Sequence, residues 1–249
     1  MARARPSDQE LLLTAVVSRV HGTPCPVVVF DLDSTLLDNR PRQARILREY
    51  GEAAGLPALR DARPEHWQGW DLAVALRNAG LRPFQLDAHL APARAFWRER
   101  FFTSRYCRLD VPIPGAPAFV AALARAGARV AYVTGRHEGM REGTVDCLAR
   151  HGFPIPGERV ELLMKPDPEL GDDDWKDEAC REVERMGEVV AAFDNEPAHV
   201  NLYARAFAQA LAIHLDTDHS GRPVPVLARV PSIADFRRAG GAVELAAAP

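Results

Sequence analysis

The sequence predicts an α/β fold, a doubly wound parallel sheet with an inserted α-helical cap domain, on three observations. Five short apolar runs, at about 26–30, 128–133, 160–164, 188–193 and 211–215, have the length and residue types of buried strands. Helical patterns separate most of them, the alternation that a parallel sheet requires. About 70 residues after the first strand, 39–110, hold helical patterns and no convincing strand. Residues 1–38 and 111–249 are therefore expected to form the α/β core, and 39–110 a helical cap.

The elements follow in order. Residues 11–17 read as a short amphipathic helix leading into the first strand; Asp8 and Glu10 interrupt the secretory-leader pattern that Arg3, Arg5 and this apolar run would otherwise suggest. In 27–30, Val-Val-Val-Phe is apolar without alternation, as befits a strand covered on both faces. The insertion carries helical patterns at 43–54, 70–78 and 91–102, and its Trp67, Trp70, Phe96 and Trp97 are expected to form a small core of their own rather than a stacking platform. Beyond it, 117–126 starts on a proline and stops at Gly127, 138–151 stops at Gly152, 174–186 stops at Gly187, and 197–209 opens on Pro197. An Ala-rich tail closes the chain.

Composition narrows the class of function. The chain has 249 residues, 47% apolar and 26% charged, which is ordinary for a soluble globular protein. A net charge of −3 gives no reason to expect nucleic acid as a partner. No stretch approaches the ~18 apolar residues of a membrane span. The four cysteines, Cys25, Cys107, Cys147 and Cys180, lie far apart without a CxxC pair, which points to a reducing, cytoplasmic setting and away from a disulfide framework or zinc site. Segment 39–110 has 13 Arg against 8 acidic residues, 13 − 8 = +5, leaving −3 − 5 = −8 for the remainder. So basic an insertion beside an acidic site is suited to collecting anionic substrates. Only Lys165 and Lys176 are lysines among the 31 basic residues, a hint that one of them fills a role needing a compact ammonium.

The chemistry begins at the end of the first strand. In FDLDST, Asp31 and Asp33 are one residue apart, followed by Ser34 and Thr35. Two carboxylates there supply an oxygen nucleophile, a proton-transfer group and hard ligands for Mg²⁺; alone, such a pair also serves as a turn. The second strand ends in Thr134-Gly135-Arg136, where a hydroxyl and backbone N–H groups can hold phosphoryl oxygens. Arg136 can clamp a phosphate or order the acid pair. Either Lys165 or Lys176 can neutralise the crowded negative charge. The fourth strand delivers Asp194, followed by Asn195 and Glu196.

The order of these features, an acid pair, then Thr, Lys and acid at the ends of alternating strands, resembles the haloacid dehalogenase-like superfamily of aspartate-nucleophile phosphohydrolases over roughly 26–215. The segment from LLMKPDP to AAFDNEP is also similar to the phosphatase domain of polynucleotide kinase-phosphatases, and that spacing selects Lys176 over Lys165. The resemblance implies a Mg²⁺-dependent phosphatase acting on a small phosphorylated metabolite through an aspartyl-phosphate. It makes Asp31 the nucleophile, Asp33 the general acid and base, Thr134 a phosphoryl-binding residue and Lys176 the charge stabiliser. Mg²⁺ would be held by Asp31, Asp194 and the backbone carbonyl of Asp33, and Ser34, Gly135 and Arg136 would line the phosphate site. The fourth motif departs from the usual pattern, having Asn195 where a second aspartate is common, and Asn195 or Glu196 would hold a metal-bound water instead. Alternatives on the same scaffold are a phosphomutase, a 3′-end nucleic-acid phosphatase and a non-catalytic binding protein.

Overall fold

A computed structural model describes residues 6–238; Arg3, Arg5 and the Ala-rich tail fall outside them. Among the described residues six strands form one parallel sheet: β1 (Pro26–Phe30), β4 (Arg129–His137), β5 (Val160–Lys165), β6 (Glu188–Asp194), β7 (Leu211–Leu215) and β8 (Ser232–Ile233). Their order is β5-β4-β1-β6-β7-β8, so β1 is central and the chain winds outward from it in both directions. The crevice at such a reversal, beyond the carboxyl ends of the strands, is where ligands bind in open α/β sheets. Two further strands, β2 (Leu37–Asp38) and β3 (Val111–Pro112), pair antiparallel and join the two ends of the inserted segment.

Both faces of the sheet are covered, which explains the unbroken apolar run of β1. Val28 and Phe30 pack against Leu13, Val16 and Val20 of α1 (Pro6–Gly22), Val120 and Leu123 of α6 (Ala116–Arg125), and Leu148 of α7 (Arg141–Arg150). Val27 and Val29 face the other way, onto Trp175, Ala179 and Val183 of α8 (Asp172–Glu184) and Tyr203 of α9 (Pro197–Ala206). Fully burying each of these valines contributes roughly 1.5–3 kcal/mol relative to exposure.

The inserted segment is helical, with α2 (Arg40–Ala53), α3 (Leu72–Asn78), α4 (Pro83–Phe101) and the single turn α5 (Ser104–Cys107). Leu47, Leu59, Trp67, Leu76 and Ala93 form its own apolar cluster, with Phe96 and Trp97 packed against it. α1 runs five residues further at each end than the expected 11–17, and three later elements also differ from expectation. α4 begins eight residues earlier than expected and passes through Pro92, because Pro83 opens the helix in its first turn. α8 begins at Asp172 rather than 174, its three aspartates occupying the first turn, where the helix dipole favours negative charge. β4 does not stop at Thr134: its pairing with β5 resumes, after a register shift, at His137 opposite Lys165. Among the described residues no helix is long and apolar enough to cross a membrane.

Candidate active site

Three neighbouring strands present the chemistry. β1 ends in Phe30, and the Asp31 amide still donates to Phe193 O of β6 at 3.0 Å, which keeps Asp31 beside Asp194. The chain then folds back tightly: the Leu36 and Leu37 amides both donate to Leu32 O, and Ser34 adopts φ 60°, uncommon for a residue other than glycine. This turn directs Asp33 into the same space. From the far side, α8 is tied to β4 by Trp175 Nε1 donating to Thr134 O (2.9 Å), and the next residue, Lys176, is buried to 1% exposure.

Lys176 Nζ donates to Asp31 Oδ1 at 2.7 Å and to Asp194 Oδ2 at 2.6 Å. Burial raises both carboxyls above their usual range, against the pull of the ammonium. Burial likewise opposes the charge on Lys176, but Asp194 and Asp31 outweigh it and hold the lysine firmly protonated. Asp194 Oδ1 is fixed by the Glu196 amide (2.8 Å). Lys165 lies apart, on Asp172 Oδ1 (2.8 Å) and the carbonyls of Pro168 and Leu170, so the geometry brings Lys176 alone of the two lysines to Asp31 and Asp194.

Asp33 is held differently. Arg136 Nε donates to its Oδ2 and Arg136 Nη2 to its Oδ1, both at 2.8 Å, while Arg42 Nη2 reaches Oδ1 at 2.7 Å and Asn39 Nδ2 at 3.1 Å. Burial would raise this carboxyl, but Arg136 and Arg42 overcome it and keep it ionised, well below the usual carboxylate range. Asp110 completes a buried four-member network: Arg136 Nη2 donates to it at 2.6 Å, and Arg42 Nε lies 3.0 Å away, an ion pair without hydrogen-bond alignment. With Arg136 Nη1 on Thr144 Oγ1, the guanidinium of Arg136 is engaged on protein groups. It orders the acid rather than offering a free fork to a phosphate.

These groups open on a cavity of about 710 Å³, within the size range of small-molecule sites. Of the residues singled out from sequence, Asp31, Asp33, Gly135, Arg136, Lys176 and Asp194 line it; Ser34 and Thr134 do not. Thr134 Oγ1 instead accepts the Arg136 amide at 3.2 Å. Gly135 leaves room for Asp172, whose Oδ2 would sit 2.7 Å from an added Cβ. Asn195 and Glu196 are committed to protein partners: Asn195 to Thr35 and Asp218 O, Glu196 to Ser220 and Arg222. The four aromatic residues singled out in the insertion divide. Trp67 and Phe96 stay in its core, whereas Trp70 and Trp97 reach the cavity.

The donor set suits a hard divalent cation. Asp31 and Asp194 put two buried carboxylates beside one another, and among the described residues no third His, Cys, Asp or Glu joins them in a closed cage. Mg²⁺ is commonly held by one or two carboxylates, with water and substrate phosphate filling its remaining positions.

Sequence reasoning missed Arg42, Asp110 and His199. Arg42 is one of 13 arginines in its segment, and nothing in the sequence separates the one that is fully buried. His199 lies in the first turn of α9, 2.8 Å from Asp173 Oδ1 and 3.9 Å from Asp194 Oδ1; burial pushes its pKa down to about 4, so it is neutral at pH 7.

Known proteins place this geometry in context. Over 148 residues the chain is 27% identical to a phosphoglycolate phosphatase of Mesorhizobium japonicum, a match spanning 57% of this chain and 64% of that protein, less than two thirds of its length. In fold it is similar to protein tyrosine kinase A of Mycobacterium tuberculosis, with 19% identity and a TM-score of 0.53 over 86% of this chain and 95% of that one. A haloacid dehalogenase-like family hydrolase from Streptococcus pneumoniae aligns over 84% of this chain and 93% of its own, with 15% identity and a TM-score of 0.48. The sequence profile of haloacid dehalogenase-like hydrolases matches residues 25–200, from the start of β1 through the Lys176 and Asp194 elements into α9, and the chain belongs to that family.

Proposed function

We propose that this chain is a divalent-metal-dependent phosphomonoesterase acting on a small phosphorylated metabolite, with Asp31 as nucleophile. The observation that carries the reading is Lys176, a buried ammonium bridging Asp31 and Asp194 beside the separately clamped Asp33. An ion pair alone is a poor reason to bury three charges, since desolvation offsets most of the attraction; a reacting phosphoryl group gives the arrangement a use.

Asp31 attacks phosphorus, the bond to the leaving oxygen breaks, and Asp33 supplies that oxygen with a proton. In the second half, Asp33 takes a proton from water, whose oxygen displaces Asp31 from the aspartyl-phosphate and releases inorganic phosphate. Lys176 holds Asp31 in place and offsets charge on the transferring group. Asp33 as held here is in its base form, fit for the hydrolytic half; to act as an acid it must first take a proton, which Arg42 and Arg136 oppose. Arg42 belongs to α2, so motion of the inserted segment is the change that would relax this clamp. The carboxylates of Asp31 and Asp194, with the Asp33 backbone carbonyl, would hold Mg²⁺, which supplies charge neutralisation at the phosphoryl oxygens when bound. Residues 39–110 act as a cap over the site, and the Gly135 segment borders the phosphoryl position. All four cysteines are free, which supports a cytoplasmic setting. Among the described residues, seven acidic ones line the cavity against Arg136, Lys176 and Arg222, which gives a nucleic-acid backbone no basic track there.

The test is release of inorganic phosphate from p-nitrophenyl phosphate with and without Mg²⁺. Turnover should require the metal and fall by about three orders of magnitude or more in Asp31→Asn. Metal-independent turnover, or an active Asp31→Asn protein, would overturn the reading.

A further inference from the structure

Part of the cavity that holds Asp31 and Lys176 is built of rings. Trp70, Trp97, Phe101 and Phe102 line it, with Met140. Trp97 stacks on Phe101 (centroids 4.4 Å apart, 20° between planes), Trp70 meets Phe101 edge-on at 5.5 Å, and Phe102 meets Trp97 edge-on at 5.7 Å. The rings therefore brace one another in fixed orientations, and Phe102 is still 40% exposed. A phosphoryl group needs only part of a 710 Å³ space, so the remainder houses the leaving group.

Charge is distributed against a second anion on that group. The basic excess of the inserted segment does not reach the cavity: none of its arginines lines it, and Arg42 is fully buried on Asp33 and Asp110. The rim instead carries Asp172, Asp173, Asp174 and Glu196, with Arg222 already paired to Asp173 (2.7 Å) and Glu196 (3.4 Å). The expectation that this insertion gathers anionic substrates through its arginines is thus not met at the cavity.

We infer that the substrate is a phosphomonoester whose leaving group is an aromatic ring system bearing no further negative charge, seated on the Trp70–Trp97–Phe102 wall. This rests on the phosphatase reading above. Offset-stacked and edge-to-face partners gain from ring quadrupoles beyond the area they bury, and the wall offers both a ring face and ring edges.

The experiment compares esters of primary alcohols, so that the basicity of the leaving oxygen is nearly constant: benzyl phosphate, n-butyl phosphate and 2-phosphoglycolate, each with Mg²⁺. The expected order of kcat/KM is benzyl, butyl, phosphoglycolate, with the first step about tenfold or more. In Phe102→Ala and Trp70→Leu the benzyl-to-butyl ratio should fall towards one; Phe102 is exposed enough that its truncation leaves the fold intact. Equal or reversed rates for benzyl and butyl phosphate, or a ratio untouched by both substitutions, overturns the inference while leaving the phosphatase reading standing. A parallel binding measurement separates the two failures. Benzylphosphonate should quench tryptophan fluorescence with a Kd about tenfold below that of n-butylphosphonate. If no ester turns over, the phosphatase reading fails and this comparison still decides the ring subsite; equal affinities would sink it.

Discussion

Only Leu32 separates Asp31 from Asp33 in sequence, yet their surroundings give them opposite electrostatic characters. Asp31 shares one lysine with Asp194, and burial leaves its carboxyl raised to about 7. Asp33 faces two guanidinium groups and stays ionised. Environments that drive two acids apart are how a site divides nucleophile from proton-transfer group. Lys176→Met tests how much of the arrangement depends on one ammonium. It would leave two buried carboxylates uncompensated, so in metal-free buffer the protein should lose about 3–5 kcal/mol of stability, read as a drop in the urea midpoint. Phosphatase turnover should fall by at least about a hundredfold. A stable, active Lys176→Met protein would remove the argument for Lys176. The FDLDST motif made both aspartates legible beforehand, but not the division between them, because Arg136 and Lys176 arrive from elements far off in sequence and nothing local marks Arg42 as the arginine that turns inward.

At the scale of elements, helix placement is set by close backbone approaches as much as by apolar faces. α7 passes so near α5 that a Cβ on Gly143 would lie 1.9 Å from Ser104 O. The Gly143 amide also donates to Ser104 Oγ (3.1 Å), and Ser104 Oγ in turn donates to Gly139 O. Replacing a helix-interior glycine by alanine ordinarily gains about 1 kcal/mol in propensity. Here the clash is with rigid backbone, so Gly143→Ala should instead destabilise by roughly 1–3 kcal/mol. A thermal midpoint at or above the wild-type value would show that the two helices separate freely. Helix starts were legible where proline marked them, as at α9. The start of α4 was not, because Pro92 resembles a first-turn proline in sequence although the helix begins at Pro83.

At the scale of the molecule, the two helices on one face of the sheet are joined by a cluster that titrates. His199 of α9 reaches Asp173 of α8, which Arg222 and His199 hold down to about 2. Burial, helped by the charge on Lys176, lowers His199 from 6.5 to about 4. A lowered histidine means that the unfolded chain takes up a proton first as pH falls. Stability attributable to His199 is therefore full above about 6.5, declines between 6.5 and 4, and levels off below. The span corresponds to at most about 3 kcal/mol. Urea unfolding of metal-free protein at pH 7.5 and 4.5 should show a larger loss in the wild type than in His199→Asn; equal losses would assign the acid sensitivity elsewhere.

Read from its residues alone, the chain settles its layered α/β class, its five long strands and the aspartates at the ends of β1 and β6. Those features are written in local periodicity and in residue types that chemistry demands at strand ends. Tertiary structure decided what lies opposite them. It placed Lys176, and not Lys165, against Asp31 and Asp194, engaged Arg136 on Asp33 and Asp110, buried Arg42 in the same network, and brought Trp70 and Trp97 to the cavity while leaving Trp67 in the core. The reason is physical: whether an arginine or a tryptophan is core, clamp or wall depends on which face of its helix meets another element, and that meeting is fixed by packing between segments distant in sequence.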